Sequence, residues 1–180
     1  MIRWTLLFLL LATTASCDKP STTPSGGFTA FAKEAEMLPS QSNQLAPDFS
    51  YSTLSGQQKK LSESQGNIVF LNFWATWCYP CKKEMPDIDK LQAHMKGKAF
   101  QLIAISAGEG VEKVVPFTKK FPYPFDFALD PMSNISQLYQ IDALPTTLIL
   151  DKQGRILAKA VGPRQWASPA FMAQMDELVK

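Results

Sequence analysis

Residues 72–86 read NFWATWCYPCKKEMP and place two of the three cysteines three positions apart, Cys78 and Cys81, with Tyr79 and Pro80 between them. Such a pair can clip a metal, hold a haem, staple a loop or cycle between dithiol and disulfide. A structural zinc site needs four ligands, and the chain offers only one histidine, His94, and one further cysteine, Cys17. Haem attachment wants a histidine directly after the second cysteine, where Lys82 stands. A bridge across so short a loop removes little entropy from the unfolded chain, which disfavours a purely structural role. Redox cycling has the clearest mechanism. A thiolate is the attacking species, and a second thiol within reach completes the exchange through a mixed disulfide.

That chemistry requires a lowered thiol pKa at the first cysteine. Ile68–Ala75, IVFLNFWA, is apolar almost throughout, as a strand buried on both faces would be. Tyr79–Met95 carries a helical pattern. Cys78 therefore falls at a helix N-terminus, where free N–H groups and the helix dipole favour negative charge. Lys82 adds a nearby cation, and Pro80 suits a first turn that has no use for its missing N–H. Cys81 is then the inward, resolving thiol, and Glu84, three residues on, shares its helix surface. A half-buried carboxyl there would have its pKa raised by desolvation and could take the Cys81 proton.

The surrounding pattern alternates strand and helix. Phe49–Leu54 and Lys59–Leu61 flank Ser55-Gly56 as a hairpin. Ala99–Ser106 is a second buried strand, and Val111–Phe121 a helix that Pro116 must open or kink. Phe125–Asp130 is extended, Ser133–Tyr139 a short helix and Thr146–Asp151 a strand. Lys152-Gln153-Gly154 turns into Arg155–Val161, and Ser168-Pro169 caps a last helix with an apolar face of Phe171, Met172, Met175, Leu178 and Val179. The fold class is α/β: a central mixed sheet with helices on both faces and an N-terminal β-hairpin extension.

The chain has 180 residues, 46% of them hydrophobic and 19% charged, with a net charge of +2. That balance lacks the basic footprint of a nucleic-acid-binding protein. Residues 1–16 have the pattern of a signal peptide: Arg3, a short apolar run from Trp4 to Ala12, then small residues. Thr14-Ala15-Ser16-Cys17 resembles a bacterial lipobox, with threonine in place of the usual leucine. As a lipobox it would make Cys17 the lipidation site of a protein exported to the periplasm and held at the membrane, with Asp18 favouring the inner membrane; an ordinary cleaved signal or an uncleaved anchor would export the domain as well. Residues 17–44 form the tether, opening on the Pro-, Ser-, Thr- and Gly-rich DKPSTTPSGG; composition allows a short helix over 28–38. The folded domain spans 45–180.

On APDF near residue 46, NFWATWCYPCKKEMP and ALPTTLILDKQG, residues 45–180 resemble the thioredoxin superfamily, and within it the membrane-tethered TlpA/ResA group of thiol–disulfide oxidoreductases. The resemblance implies a thioredoxin fold, Cys78 and Cys81 as the redox-active disulfide, and Glu84 as part of the active site. It also implies that Pro145 is cis and faces that disulfide, and that Pro86 kinks the active-site helix. Substrate would lie against Trp77, Tyr79, Pro80, Leu144 and Pro145. Asn72 stands where thioredoxins bury a proton-handling aspartate, so Glu84 takes that part. Pro80 before the second cysteine looks thioredoxin-like and suggests a reductant. No cofactor or metal is implied. The implied partners are exported cysteine-containing proteins, apocytochrome c among them, and a membrane thiol donor of the CcdA/DsbD kind.

Two rivals stand beside this reading. A copper-handling module of the Sco kind uses C-x-x-x-C with a distal histidine, whereas this chain has C-x-x-C and His94. A peroxiredoxin-like peroxidase sets its cysteine in T-x-x-C, whereas Ala75 holds the place three before Cys78 and Thr76 is one residue out of register.

Overall fold

The computed structural model describes residues 37–40 and 44–180. The signal pattern, Cys17, most of the tether and residues 28–36 of the allowed helix lie outside them. In chain order the elements are strands β1 (Leu38–Pro39), β2 (Ser50–Thr53), β3 (Gln58–Lys60) and β4 (Ile68–Trp74), helix α1 (Tyr79–His94), β5 (Phe100–Ala107), α2 (Val111–Lys120), β6 (Asp126–Asp130), α3 (Asn134–Leu138), β7 (Thr146–Leu150), β8 (Ile156–Val161) and α4 (Pro169–Leu178). One eight-stranded sheet runs β1-β8-β7-β4-β5-β6-β2-β3.

β4 is central because its sequence suits nowhere else: all seven of its residues are buried. It pairs in parallel with β5 and antiparallel with β7. β6 lies parallel to β5, and β8 runs antiparallel to β7. The carboxyl ends of β4, β5 and β6 and the amino end of β7 therefore meet at one sheet edge, and the loops leaving that edge build the site.

Alternation along the strands divides the core in two. Ile68, Phe70 and Trp74 of β4 pack with Met85, Ile88 and Leu91 of α1, Val114 of α2, and Phe171 and Met175 of α4. Val69, Leu71 and Phe73 face the other way, onto Ile135 and Tyr139 beside α3 and onto Phe49, Tyr51 and Leu61 of the N-terminal segment. Helices thus cover both faces. Ser168 caps α4 through its hydroxyl, which accepts from the Phe171 N–H at 3.3 Å. The hairpin β2–β3 turns through Gly56 at φ +81°, a conformation that favours glycine, and joins the sheet through β6.

Two details depart from the sequence expectation. Composition ends the tether at residue 44, yet Met37 is buried and Leu38–Pro39 forms β1 against β8. Proline is tolerated on such an edge strand, where an N–H can go unpaired. Residues 37 and 38 are accordingly not helical. Of the two places the sequence allowed Pro116, the structure takes the interior one: it lies inside α2, as Pro86 does in α1. Among the described residues no helix is long and apolar enough to cross a membrane.

Candidate active site

β4 ends at Trp74, and three residues later the chain enters α1 with Cys78 as its N-cap. The Cys78 sulfur accepts from the Cys81 N–H at 3.3 Å, and the Cys78 carbonyl receives the Lys82 N–H at 3.2 Å. Pro80 occupies the first turn. The sulfur of position 78 thus sits against the open N–H groups of a sixteen-residue helix, the setting that stabilises a thiolate. The two cysteines form a disulfide, with their Cα atoms 5.3 Å apart. Both are enclosed: Cys78 is 3% exposed and Cys81 1%. Their neighbours are not. Trp77 is 70% exposed and Tyr79 64%, with Lys83 Nζ 4.9 Å from the centre of the Tyr79 ring. Trp77 is a rim aromatic, while Trp74 is a core one, packed on Phe117 and Phe127.

The Leu144–Pro145 bond is cis. Thr146 pairs with Phe73 across β7 and β4, so Pro145 reaches the sheet edge level with the start of the cysteine loop. Its carbonyl accepts from the Gly162 N–H at 2.8 Å, which ties this turn to the end of β8.

Glu84 is 4% exposed. Its Oε1 accepts from Asn72 Nδ2 at 3.0 Å, and its Oε2 from Trp166 Nε1 at 2.8 Å and the Arg164 backbone N–H at 3.2 Å. Burial pushes the Glu84 carboxyl up to about 7, against the pull of these donors and the nearby Arg164 guanidinium. Asn72 donates a second bond, to Thr147 Oγ1 at 2.9 Å. An asparagine at this place on β4 thus serves the carboxylate on α1 as a donor, where an aspartate would repel it. A groove of about 720 Å³ opens beside Glu84, lined among others by Tyr79, Pro80, Lys83, Arg164, Trp166 and Phe171.

Sequence reasoning passed over three of these groups. Trp166 and Arg164 follow β8 in a turn with no periodicity, about eighty positions from Glu84. Glu109 lies between β5 and α2 and is 6% exposed. It grips the cysteine loop: Thr76 donates its N–H to Oε2 at 2.7 Å and its hydroxyl to Oε1 at 2.6 Å. The only local sign was a lone acid between two glycines, Gly108-Glu109-Gly110.

His94 pairs with Asp176 of α4 at 3.0 Å, an acid that Lys98 also contacts. It closes the far end of α1 from Cys78, ~24 Å away at 1.5 Å per residue. That separation removes it from any shared ligand set with the cysteines. The Thr76 hydroxyl gives its one hydrogen to Glu109 Oε1 and so has none to donate to a peroxide at Cys78.

A strand feeding a cysteine-capped helix, a cis-proline at the same sheet edge and a mixed sheet between helices define a thioredoxin-fold thiol–disulfide oxidoreductase. The chain belongs to the AhpC/TSA family, whose model matches residues 42–159. Its similarity to curated relatives is more specific. It is 36% identical to a thiol-disulfide oxidoreductase ResA of Bacillus cereus over 157 residues, 87% of this chain and 88% of that one. It is also 34% identical to ResA of Bacillus subtilis over 117 residues, 65% of each. Among solved structures, a thiol-disulfide oxidoreductase from Bacteroides fragilis superposes with a TM-score of 0.65 at 28% identity, covering 75% of this chain and 99% of that one. StoA from Bacillus subtilis superposes with a TM-score of 0.60 at 26% identity, covering 76% and 98%.

Proposed function

We propose that this oxidoreductase works as a reductant of disulfides in exported proteins, on the periplasmic side of the membrane, anchored through lipid on Cys17. The observation that carries the reading is the buried Glu84 carboxyl, poised at about 7, three residues beyond a resolving cysteine whose partner caps a helix. In the dithiol form the Cys78 thiolate attacks one sulfur of the substrate disulfide. A Cys78–substrate bond forms and the other substrate sulfur leaves as a thiolate. Cys81 then gives its proton to Glu84 and attacks the Cys78 sulfur, releasing the second substrate sulfur. Two electrons have passed to the substrate, and the protein is left with the Cys78–Cys81 disulfide. Glu84, whose pKa lies near ambient pH, returns its proton to water in the groove, as an effective acid–base group should.

Renewal of the dithiol needs a donor, for which a membrane thiol carrier of the CcdA/DsbD kind is the proposed source. Pro80, in place of the histidine common in strong oxidants, favours the reducing direction. Apocytochromes c, whose haem-binding cysteines must be thiols, are the first candidate substrates, and a copper-assembly protein of the oxidase the second. Trapping tests the proposal. In the native host, Cys81→Ser should accumulate a mixed disulfide between Cys78 and an exported protein in the membrane fraction, and Cys17→Ala should release the protein from that fraction. Absence of any trapped polypeptide, with tight copper binding by the reduced domain or peroxide consumption faster than disulfide reduction, would overturn it.

A further inference from the structure

Glu84 has three hydrogen-bond donors, and two of them come from the short segment between β8 and α4. Trp166 is fully buried. Its ring meets Phe70 at 5.0 Å and 89° and Phe171 at 5.0 Å and 66°, so neighbours from β4 and α4 fix the indole plane. A phenylalanine would fill much of that space. What only the indole adds is an N–H, and that N–H lies 2.8 Å from Glu84 Oε2.

We propose that Trp166 is a positioning residue for the exchange reaction: its indole N–H, with the Arg164 backbone N–H, pins Glu84 Oε2 and leaves Oε1 as the atom that receives the Cys81 proton. This rests on the proton-acceptor role of Glu84 proposed above. Oε2 accepts two N–H groups and Oε1 only that of Asn72, so the free lone pair is on Oε1. All three donors are neutral, and each favours the carboxylate over the acid. They offset part of the burial that raises this carboxyl, and the Arg164 guanidinium acts in the same direction.

Among the described residues the charged groups around Glu84 are few. Arg164 approaches from the segment after β8, and Lys83 and Asp87 of α1 line the same groove. β4 and β7 contribute the neutral Asn72 and Thr147, and α4 contributes Phe171. In the disulfide state the two cysteines do not titrate. The Glu84 proton can therefore be followed alone in the oxidised protein.

Trp166→Phe removes the N–H and keeps an aromatic ring between Phe70 and Phe171. Followed by ¹³C NMR of the Glu84 side-chain carboxyl, the midpoint should rise by about one pH unit, the scale of one lost hydrogen bond to a charged group. The pH profile of the resolving step should move with it. A second measurement needs no destabilised variant: in the oxidised wild-type protein the Trp166 indole proton resonance should shift through the Glu84 midpoint, and that shift should vanish in Glu84→Gln. An unmoved midpoint in Trp166→Phe, or an indole resonance indifferent to the Glu84 transition, overturns the positioning role. Failure of the underlying reading looks different: Glu84→Gln would then exchange disulfides as fast as wild type, whatever the titrations show.

Discussion

Two buried carboxylates bracket the cysteine pair and do opposite things. Glu109 takes both its side-chain hydrogen bonds from one residue, Thr76, on the loop ahead of Cys78. Glu84 takes its bonds from three residues on β4 and the segment after β8, and it lies at a groove. The first arrangement is a clamp: two short contacts to one residue hold a loop in place. The second is a proton site: Oε1 keeps a free lone pair, a groove opens beside it, and burial holds the carboxyl at about 7. Residue type and depth are the same, so the difference lies in where the donors come from and whether a proton can leave.

The largest effects should come from Glu84. The folded protein keeps this proton up to about 7, whereas the ordinary value is 4.5. The native state therefore binds more protons than the unfolded chain between those values. The associated stability is present below 4.5 and is lost as pH rises through 7. At 1.36 kcal/mol per unit this amounts to about 3 kcal/mol. Urea denaturation from pH 4.5 to 8 should show that fall in the wild-type protein and not in Glu84→Gln. The same variant should slow resolution of the mixed disulfide about 100-fold at pH 7, the lower range for loss of an acid–base group. Equal pH slopes for the two proteins would erase the distinction between clamp and proton site.

Glu109→Gln should act on the other side of the comparison. Gln retains one acceptor oxygen but turns an amide N–H₂ toward a donor of Thr76. A hydrogen bond to a buried charge contributes about 1.5–3 kcal/mol, so a loss of about 2 kcal/mol is expected in the denaturation midpoint. The midpoint of the pH–rate profile should stay where it is. A profile displaced as far as in Glu84→Gln would make Glu109 a second proton site.

How far these roles could be read in the sequence follows from where their partners sit. β4 and α1 were plain because seven consecutive buried positions and a helical run leave their own periodic trace. Cys78, Cys81 and Glu84 share one helix, so spacing alone placed them together. Asn72 was marked only by what it is not, and its partner on α1 was not evident. Trp166 and Glu109 were invisible for a common reason. Each lies in a short connection without periodicity, and each acts across a large sequence separation, 82 positions for Trp166 to Glu84 and 33 for Glu109 to Thr76. Only closure of the sheet, with β5 beside β4 and β8 beside β7, brings those loops to one edge. β1 escaped notice because two residues cannot carry a pattern.

Thr76→Val gives the finest cut. Valine matches the shape of threonine and leaves the backbone N–H to Glu109 Oε2 in place, but removes the hydroxyl that donates to Oε1. Thr76 is half-buried, so water can take over part of the lost bond, and the cost should be about 1 kcal/mol, below that of Glu109→Gln. Combined in one chain, the two substitutions should cost less than their sum, because both dismantle one contact. Thr76→Val and Glu84→Gln touch different networks and should add. If instead Thr76→Val coupled to Glu84→Gln and displaced the pH midpoint, the cysteine loop would transmit between the two carboxylates, and clamp and proton site would be one device read at two ends.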